Sequence, residues 1–370
     1  MRILYVIDHL GFGGAQTALA DLLGAWPCRA DTIRVLGLGR KTELRGRFHG
    51  LPNVEVTTLG HRRWDLRSIG EVRRIIRLGS YDIVHAHLCK AVCITLWSQP
   101  KHGARLVAHV HNDMRLDWRI LRLALRRWQA RAAAVVAVSQ HAAQTTQRSL
   151  GLPGHKLHVI HNPTRVLATD SQAGDLPRAA ALRVALGLQP SAFVVGFVGR
   201  LSSEKGVTYL LQALAGLQSS RPEIVAIVIG DGPLAEPLRR EAERRGVAER
   251  VRFVGYQLDI ARWLSAVDVA VFPSLYEGLP VALVEAMRQG IPVIASDVDG
   301  VPEVVHPEQT GILTPAGDVA ALQAAMMRLA DARDLGRQLA QNARVLADRM
   351  FSPERIGREL RALYGELLQP

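Results

Sequence analysis

Cysteine is scarce in this chain: Cys28, Cys89 and Cys93 are its full set. The number is odd and no paired zinc spacing occurs, so neither a disulfide framework nor a cysteine-held structural metal is indicated, and reduced thiols in the cytoplasm are expected. Long apolar runs are missing too. No stretch approaches the roughly 20 residues that a membrane-spanning helix needs, and Asp8 and His9 interrupt the opening apolar segment too early for a signal peptide. Acidic residues are short in the first half alone. Residues 1–165 hold 25 Lys+Arg against 10 Asp+Glu, or +15, so with a total of +12 the remainder carries −3. Such asymmetry points the first half toward something anionic, whether nucleic acid, phospholipid head groups or a phosphorylated acceptor, unless it is a solubility feature of an arginine-rich proteome. No recognisable nucleic-acid-binding motif accompanies the charge, and nucleic acid is set aside as a partner.

What is present is a regular alternation. A chain of 370 residues with 48% hydrophobic and 22% charged side chains reads as a soluble globular protein of two domains. Strands are predicted at 3–7, 33–38, 54–57, 83–86, 106–110 and 135–138, then at 193–199, 224–229, 251–256, 270–272 and 292–295. Helical patterns lie between them, which makes parallel sheets of βα units. Ile160-His161-Asn162-Pro163 closes the first domain. The polar stretch 164–177 reads as a hinge linker, followed by a short helix at 179–187. The division is therefore 1–163, a linker with its helix at 164–188, a second domain at 189–351, and a last helix at 352–370.

Side chains that carry chemistry gather at strand ends, where ligands bind in doubly wound sheets. In the stretch from Phe272 to Glu303, Pro273 and Ser274 end a strand and a helix starts near Val281. Glu277 stands in the loop and Glu285 in the helix, seven residues apart in between, so the two carboxylates can hold different parts of one ligand. The amides of Gly278 and Leu279 face the helix start, a place suited to an anion or a sugar hydroxyl. Gly290 and Pro292 stop the helix. Arg200 and Lys205 follow the strand at 193–199, just ahead of a helix, and offer two cations to a diphosphate. Gly11-Phe12-Gly13-Gly14-Ala15-Gln16 lets the backbone approach a phosphate closely, although Gln16 replaces the third glycine of a dinucleotide fingerprint. His111 directly follows the strand at 106–110, and His109 is the competing choice. His85 and His87 alternate on a strand, so one of them is expected to pack inward, and both read as structural. Arg115, Arg119, Arg122 and Arg126 stack on one face of a helix at 113–128, with Trp118, Leu121, Leu125 and Trp128 on another. That helix suits an anionic membrane surface or else is an ordinary domain helix with snorkelling arginines, and the basic tract 61–77 favours the surface.

These motifs resemble the retaining glycosyltransferases of family 4. The family's signature, Glu, seven residues, Glu, set in E-G-x-P, E-A-M, G-x-P-V-I-A-S and G-x-P-E, is matched in register from Glu277 to Glu303. The resemblance implies the GT-B fold, two Rossmann-like doubly wound parallel-sheet domains facing across a cleft, with the last helix crossing back onto the first domain. It implies transfer of a sugar from a nucleotide-sugar, a UDP- or GDP-sugar, to an acceptor hydroxyl with retention of configuration. In it Arg200 and Lys205 meet the diphosphate, Glu277 orients the sugar, Glu285 holds the ribose, His111 contacts the sugar, and Gly13 and Gly14 lie near the diphosphate and acceptor. The loop after the strand at 251–256 borders the nucleobase, which makes Tyr256 a stacking residue or else a packed tyrosine. No metal or other cofactor is expected, and no Asp-x-Asp element stands where a divalent ion would need one. The charge suggests a lipid-linked or lipopolysaccharide acceptor, and hence a cytoplasmic enzyme peripheral to the inner face of the membrane. Two rivals are a sugar-nucleotide epimerase or hydrolase of the same fold and a basic nucleic-acid-binding protein.

Overall fold

The computed structural model describes residues 1–62, 65–98, 103–111, 131–165 and 175–369. The basic helix expected at 113–128 and most of the expected hinge linker lie outside those residues. The chain divides into two compact units, one of residues 1–164 with 351–370 and one of residues 165–350.

The first unit runs β1 (Arg2–Ile7), α1 (Gly14–Gly24), β2 (Thr32–Gly39), β3 (Val54–His61), α2 (Arg67–Gly79), β4 (Ile83–His87), α3 (Cys89–Ser98), β5 (Arg105–Val110), β6 (Ala132–Ala137), α4 (Gln140–Leu150) and β7 (Leu157–Val159). Its strands are all parallel, in the order β3-β2-β1-β4-β5-β6-β7. Both faces are covered, so β1 and β4 read as unbroken buried runs rather than alternating ones. β6 begins three residues before the predicted strand. Ala132 and Ala134 are poor strand formers, but both are buried, and burial outweighs intrinsic preference.

The second unit runs α5 (Asp175–Ala185), β8 (Phe193–Val198), α6 (Val207–Gly216), β9 (Ile224–Ile229), α7 (Ala235–Arg244), β10 (Val251–Gly255), α8 (Ile260–Leu264), β11 (Val269–Phe272), α9 (Val281–Arg288), β12 (Val293–Ser296), β13 (Ile312–Thr314), α10 (Val319–Asp331) and α11 (Arg333–Phe351). Its parallel sheet has the order β10-β9-β8-β11-β12-β13. α5 starts earlier than the helix predicted at 179–187, because Pro177 falls in its first turn, where a missing N–H loses no hydrogen bond. The order reverses between β8 and β11. Their chain continuations run to opposite sides there and leave a crevice at the carboxyl ends.

The chain then returns to the first unit as α12 (Pro353–Leu368). Ser352 caps it by accepting from the Arg355 amide, and Pro353 supplies the preset first-turn φ. Ile356, Leu360, Leu363 and Tyr364 repeat at helical spacing, are all buried, and pack on Ile3, Tyr5 and the leucines of α1. Arg361 ties the same helix to Asp31 at 2.8 Å. Burial by itself would raise the Asp31 carboxyl. Hydrogen bonds from Arg361, from the terminal amine at 2.8 Å and from the Trp26 indole at 3.0 Å overcome it and hold the group at about 2. A carboxyl held below its unfolded value of about 3.9 stabilises the fold above that pH and loses the contribution as pH falls toward 2, roughly 2–3 kcal/mol in all. Urea unfolding at pH 5 and pH 2.5 should therefore show a smaller acid-dependent loss in Asp31→Asn than in the parent chain.

Candidate functional site

In the second unit the two loops that leave β8 and β11 at the reversal are bonded to each other. Leu275 donates its amide to the Glu204 carbonyl at 2.8 Å. Lys205 closes a one-turn helix of residues 203–205, and Gly206, at φ 64, turns the chain into α6. A Cβ on Gly206 would sit 1.9 Å from the Pro273 carbonyl oxygen, so this glycine is what lets the two loops approach.

Across that contact the Lys205 ammonium donates to Oε1 of Glu277. The Ser274 hydroxyl donates to the same oxygen at 3.0 Å. The Glu277 amide donates to Oδ2 of Asp299 at 2.7 Å. The Glu277 side chain is 8% exposed and that of Lys205 23%. A carboxylate so enclosed needs hydrogen-bonding partners, and Lys205 and Ser274 provide them. Beside them Glu204 accepts from the Ser202 hydroxyl. Burial would raise the Glu204 carboxyl, but that hydrogen bond and the nearby Lys205 and Arg200 charges hold it below the usual carboxylate range.

The remaining predicted residues of this unit lie on the same carboxyl edge of the sheet. Arg200 is exposed in the loop after β8. Gly278 and Leu279 are buried, and α9 starts after Pro280 with no side chain capping it; α6 likewise has none. No N-cap side chain therefore occupies the first-turn amides of either helix, although the Tyr209 amide donates to the Gly206 carbonyl at 2.9 Å. Glu285 is half-buried on α9, and Tyr256 half-buried after β10. Ser274 and Asp299 escaped the sequence reading. Asp299 sits at φ 46, unusual for a residue with a side chain, in an Asp-Gly turn whose chemistry was the available signal. Asp297-Val298-Asp299 does spell an Asp-x-Asp element, but the second carboxylate holds the Glu277 amide.

In the first unit Gly13 and Gly14 open α1, and the Gln16 side chain folds back to the His9 carbonyl at 3.3 Å. His111 follows β5 as expected, though it is buried rather than open in the loop. Its Nε2 lies 3.0 Å from Nδ1 of His87. His85 and His87 are both buried, which corrects the expectation that one packs inward: residues two apart on a strand share a face. His109 joins them from β5, directly opposite His87 in the register. The four rings lie against one another, with centroids 4.4 Å apart for the stacked pair His109 and His111, and 4.5 Å for His85 and His87 and 4.6 Å for His87 and His109, both tilted. Burial pushes all four well below the usual histidine range, His111 to about 3, and neighbouring imidazoles add to the effect for the other three. The cluster is neutral at physiological pH. His85 Nε2, His87 Nε2, His111 Nδ1 and both nitrogens of His109 are buried with no hydrogen-bond partner. Each such orphan costs about 1–3 kcal/mol.

Comparison with known proteins agrees on one family. Residues 12–166 match the family model "Glycosyltransferase Family 4", and residues 180–346 match "Glycosyl transferases group 1". Alpha-D-kanosaminyltransferase of Streptomyces kanamyceticus is 29% identical over 344 residues, 88% of this chain and 86% of that protein. Phosphatidyl-myo-inositol mannosyltransferase of Mycobacterium leprae is 30% identical over 334 residues, 86% of this chain and 83% of that protein. Among solved structures, Anabaena HepE in complex with UDP-glucose superposes with a TM-score of 0.85 at 26% identity, covering 99% of this chain and 100% of that one.

Proposed function

Because this chain belongs to the family 4 glycosyltransferases and has their GT-B fold, we propose that it transfers a sugar from a UDP- or GDP-sugar to an acceptor hydroxyl with retention of configuration. The observation that carries the reading is the Lys205–Glu277 pair at the β8/β11 reversal, a cation and a carboxylate held side by side where a doubly wound sheet binds ligands. As the bond from the anomeric carbon to the diphosphate breaks, negative charge grows on the leaving oxygens. Lys205 and Arg200 take up that charge, the task a divalent ion performs elsewhere, so transfer needs no metal at the diphosphate. Glu277 accepts hydrogen bonds from sugar hydroxyls, the Gly278 and Leu279 amides support the same end, Glu285 binds the ribose, and Tyr256 lies against the base. From the first unit we assign His111 and the Gly13-Gly14 turn to donor binding.

For the acceptor we propose a lipid-linked or lipopolysaccharide glycan at the inner membrane surface. Its support is the charge of the first half and α2, which buries Ser68, Val72 and Ile76 while Arg67, Arg73, Arg74 and Arg77 stay exposed. Among the described residues no helix is long and apolar enough to cross a membrane, so contact would be with the surface.

A thermal-shift panel of UDP-, GDP- and ADP-sugars tests the donor class. A sugar nucleotide at 100 times its Kd is expected to stabilise the chain by about 2.7 kcal/mol. Incubating the stabilising donor with acceptor glycolipid should release nucleotide only when acceptor is present. Release without acceptor would instead make the protein a sugar-nucleotide hydrolase or epimerase, and stabilisation by none of the panel would overturn the assignment.

A further inference from the structure

We propose that His85, His87 and His109 bind one transition-metal ion of the zinc, nickel or copper class in the first unit, a site whose ligands are not among the residues assigned to the donor above. The three lie on the neighbouring parallel strands β4 and β5, with His87 opposite His109. They are 0%, 2% and 4% exposed. One ligand nitrogen from each falls within 4.8 Å of the others.

Which nitrogens are free is the stronger argument. Nδ1 of His85 is hydrogen-bonded to the Tyr364 hydroxyl, and Tyr364 in turn to Tyr5 at 3.0 Å. Nδ1 of His87 is hydrogen-bonded to Nε2 of His111. In both rings Nε2 is buried and has no partner, and in His109 neither nitrogen has one. A ring fixed through one nitrogen with the other left bare is the arrangement that metal-binding histidines adopt, since the outer bond sets both tautomer and orientation. A single ion would satisfy three of these orphans at once. Zinc–nitrogen bonds of about 2.0–2.1 Å put tetrahedral ligand atoms about 3.4 Å apart, so the rings need to close in by roughly an ångström. An all-imidazole set without a carboxylate selects zinc, nickel or copper over magnesium, calcium or manganese. Bound there, the ion joins β4 and β5, and through Tyr364 also α12. It also holds His87 with Nδ1–H directed at His111.

The test uses the full chain without a histidine tag, produced in metal-depleted medium and titrated with cobalt(II), then zinc(II). One equivalent of cobalt should bind with visible d–d absorption, be displaced by zinc, and raise the unfolding temperature. His85→Gln with His109→Gln should lose at least 100-fold in cobalt affinity. Absence of stoichiometric binding to the parent chain overturns the site whatever the variants do, as does unchanged affinity in the folded double variant. Should the double variant fail to fold, His109→Asn alone, which leaves the Tyr364 and His111 bonds intact, must show the same loss of affinity. None of these readouts involves sugar or nucleotide, so the site and the transferase assignment stand or fall separately.

Discussion

Replacing Lys205 with methionine is expected to lower kcat for sugar transfer about 10²–10³-fold, the usual consequence of removing one group that stabilises developing negative charge. Two effects need separating. Methionine keeps the bulk of the side chain but leaves the Glu277 carboxylate, 8% exposed, with the Ser274 hydroxyl and without its cation. Stability should fall as well, because a buried charge that loses its partner costs more than the pair contributed. The double variant Lys205→Met, Glu277→Gln removes both charges. It should recover much of the stability and none of the activity, and steady-state nucleotide release beside thermal unfolding reads both. A single variant that turns over at the parent rate would remove Lys205 from the reaction.

The second large effect is structural. Gly230 follows β9 at φ 139, and a Cβ there would lie 1.8 Å from the Gly199 carbonyl oxygen, an atom of the backbone that cannot swing aside. Gly230→Ala should therefore cost about 4 kcal/mol or more, at the extreme of single substitutions. For a unit of this size that corresponds to a fall of roughly 8–16 °C in Tm. Gly246→Ala is the control. It too has positive φ, 70, but its nearest neighbour is a side-chain atom at 3.8 Å, so it should lose only about 1 kcal/mol. Equal losses in the two variants would mean that the close approach to the Gly199 carbonyl does not set the cost at position 230.

The alternation of apolar strands with helical patterns was enough to read two parallel-sheet domains, because buried parallel strands leave unbroken Val/Ile/Leu runs. That Glu277, Glu285, Arg200 and Lys205 follow strands β8 and β11 at one edge of a sheet was legible from motif and position. That Lys205 reaches Glu277 was not, since 72 residues separate them and the β8-β11 pairing brings them together. Asp299 was missed for the same reason: its partner is an amide 22 residues away. The histidines show a different limit. That His85 and His87 share a face follows from strand geometry and was misread, whereas the position of His109 opposite His87 depends on strand register, which local pattern does not carry.

The return of α12 to the first unit has a consequence for how the protein is made. The sheet that holds Ile3 and Tyr5 lacks part of its apolar cover until residues 353–368 have been translated, after the whole second unit. At about 5–20 residues per second, the intervening stretch keeps that surface waiting for roughly 10–40 s on the ribosome. A nascent chain stalled after residue 350 and before α12 would carry one complete body and one that cannot finish, and the unfinished one is where chaperones would be needed.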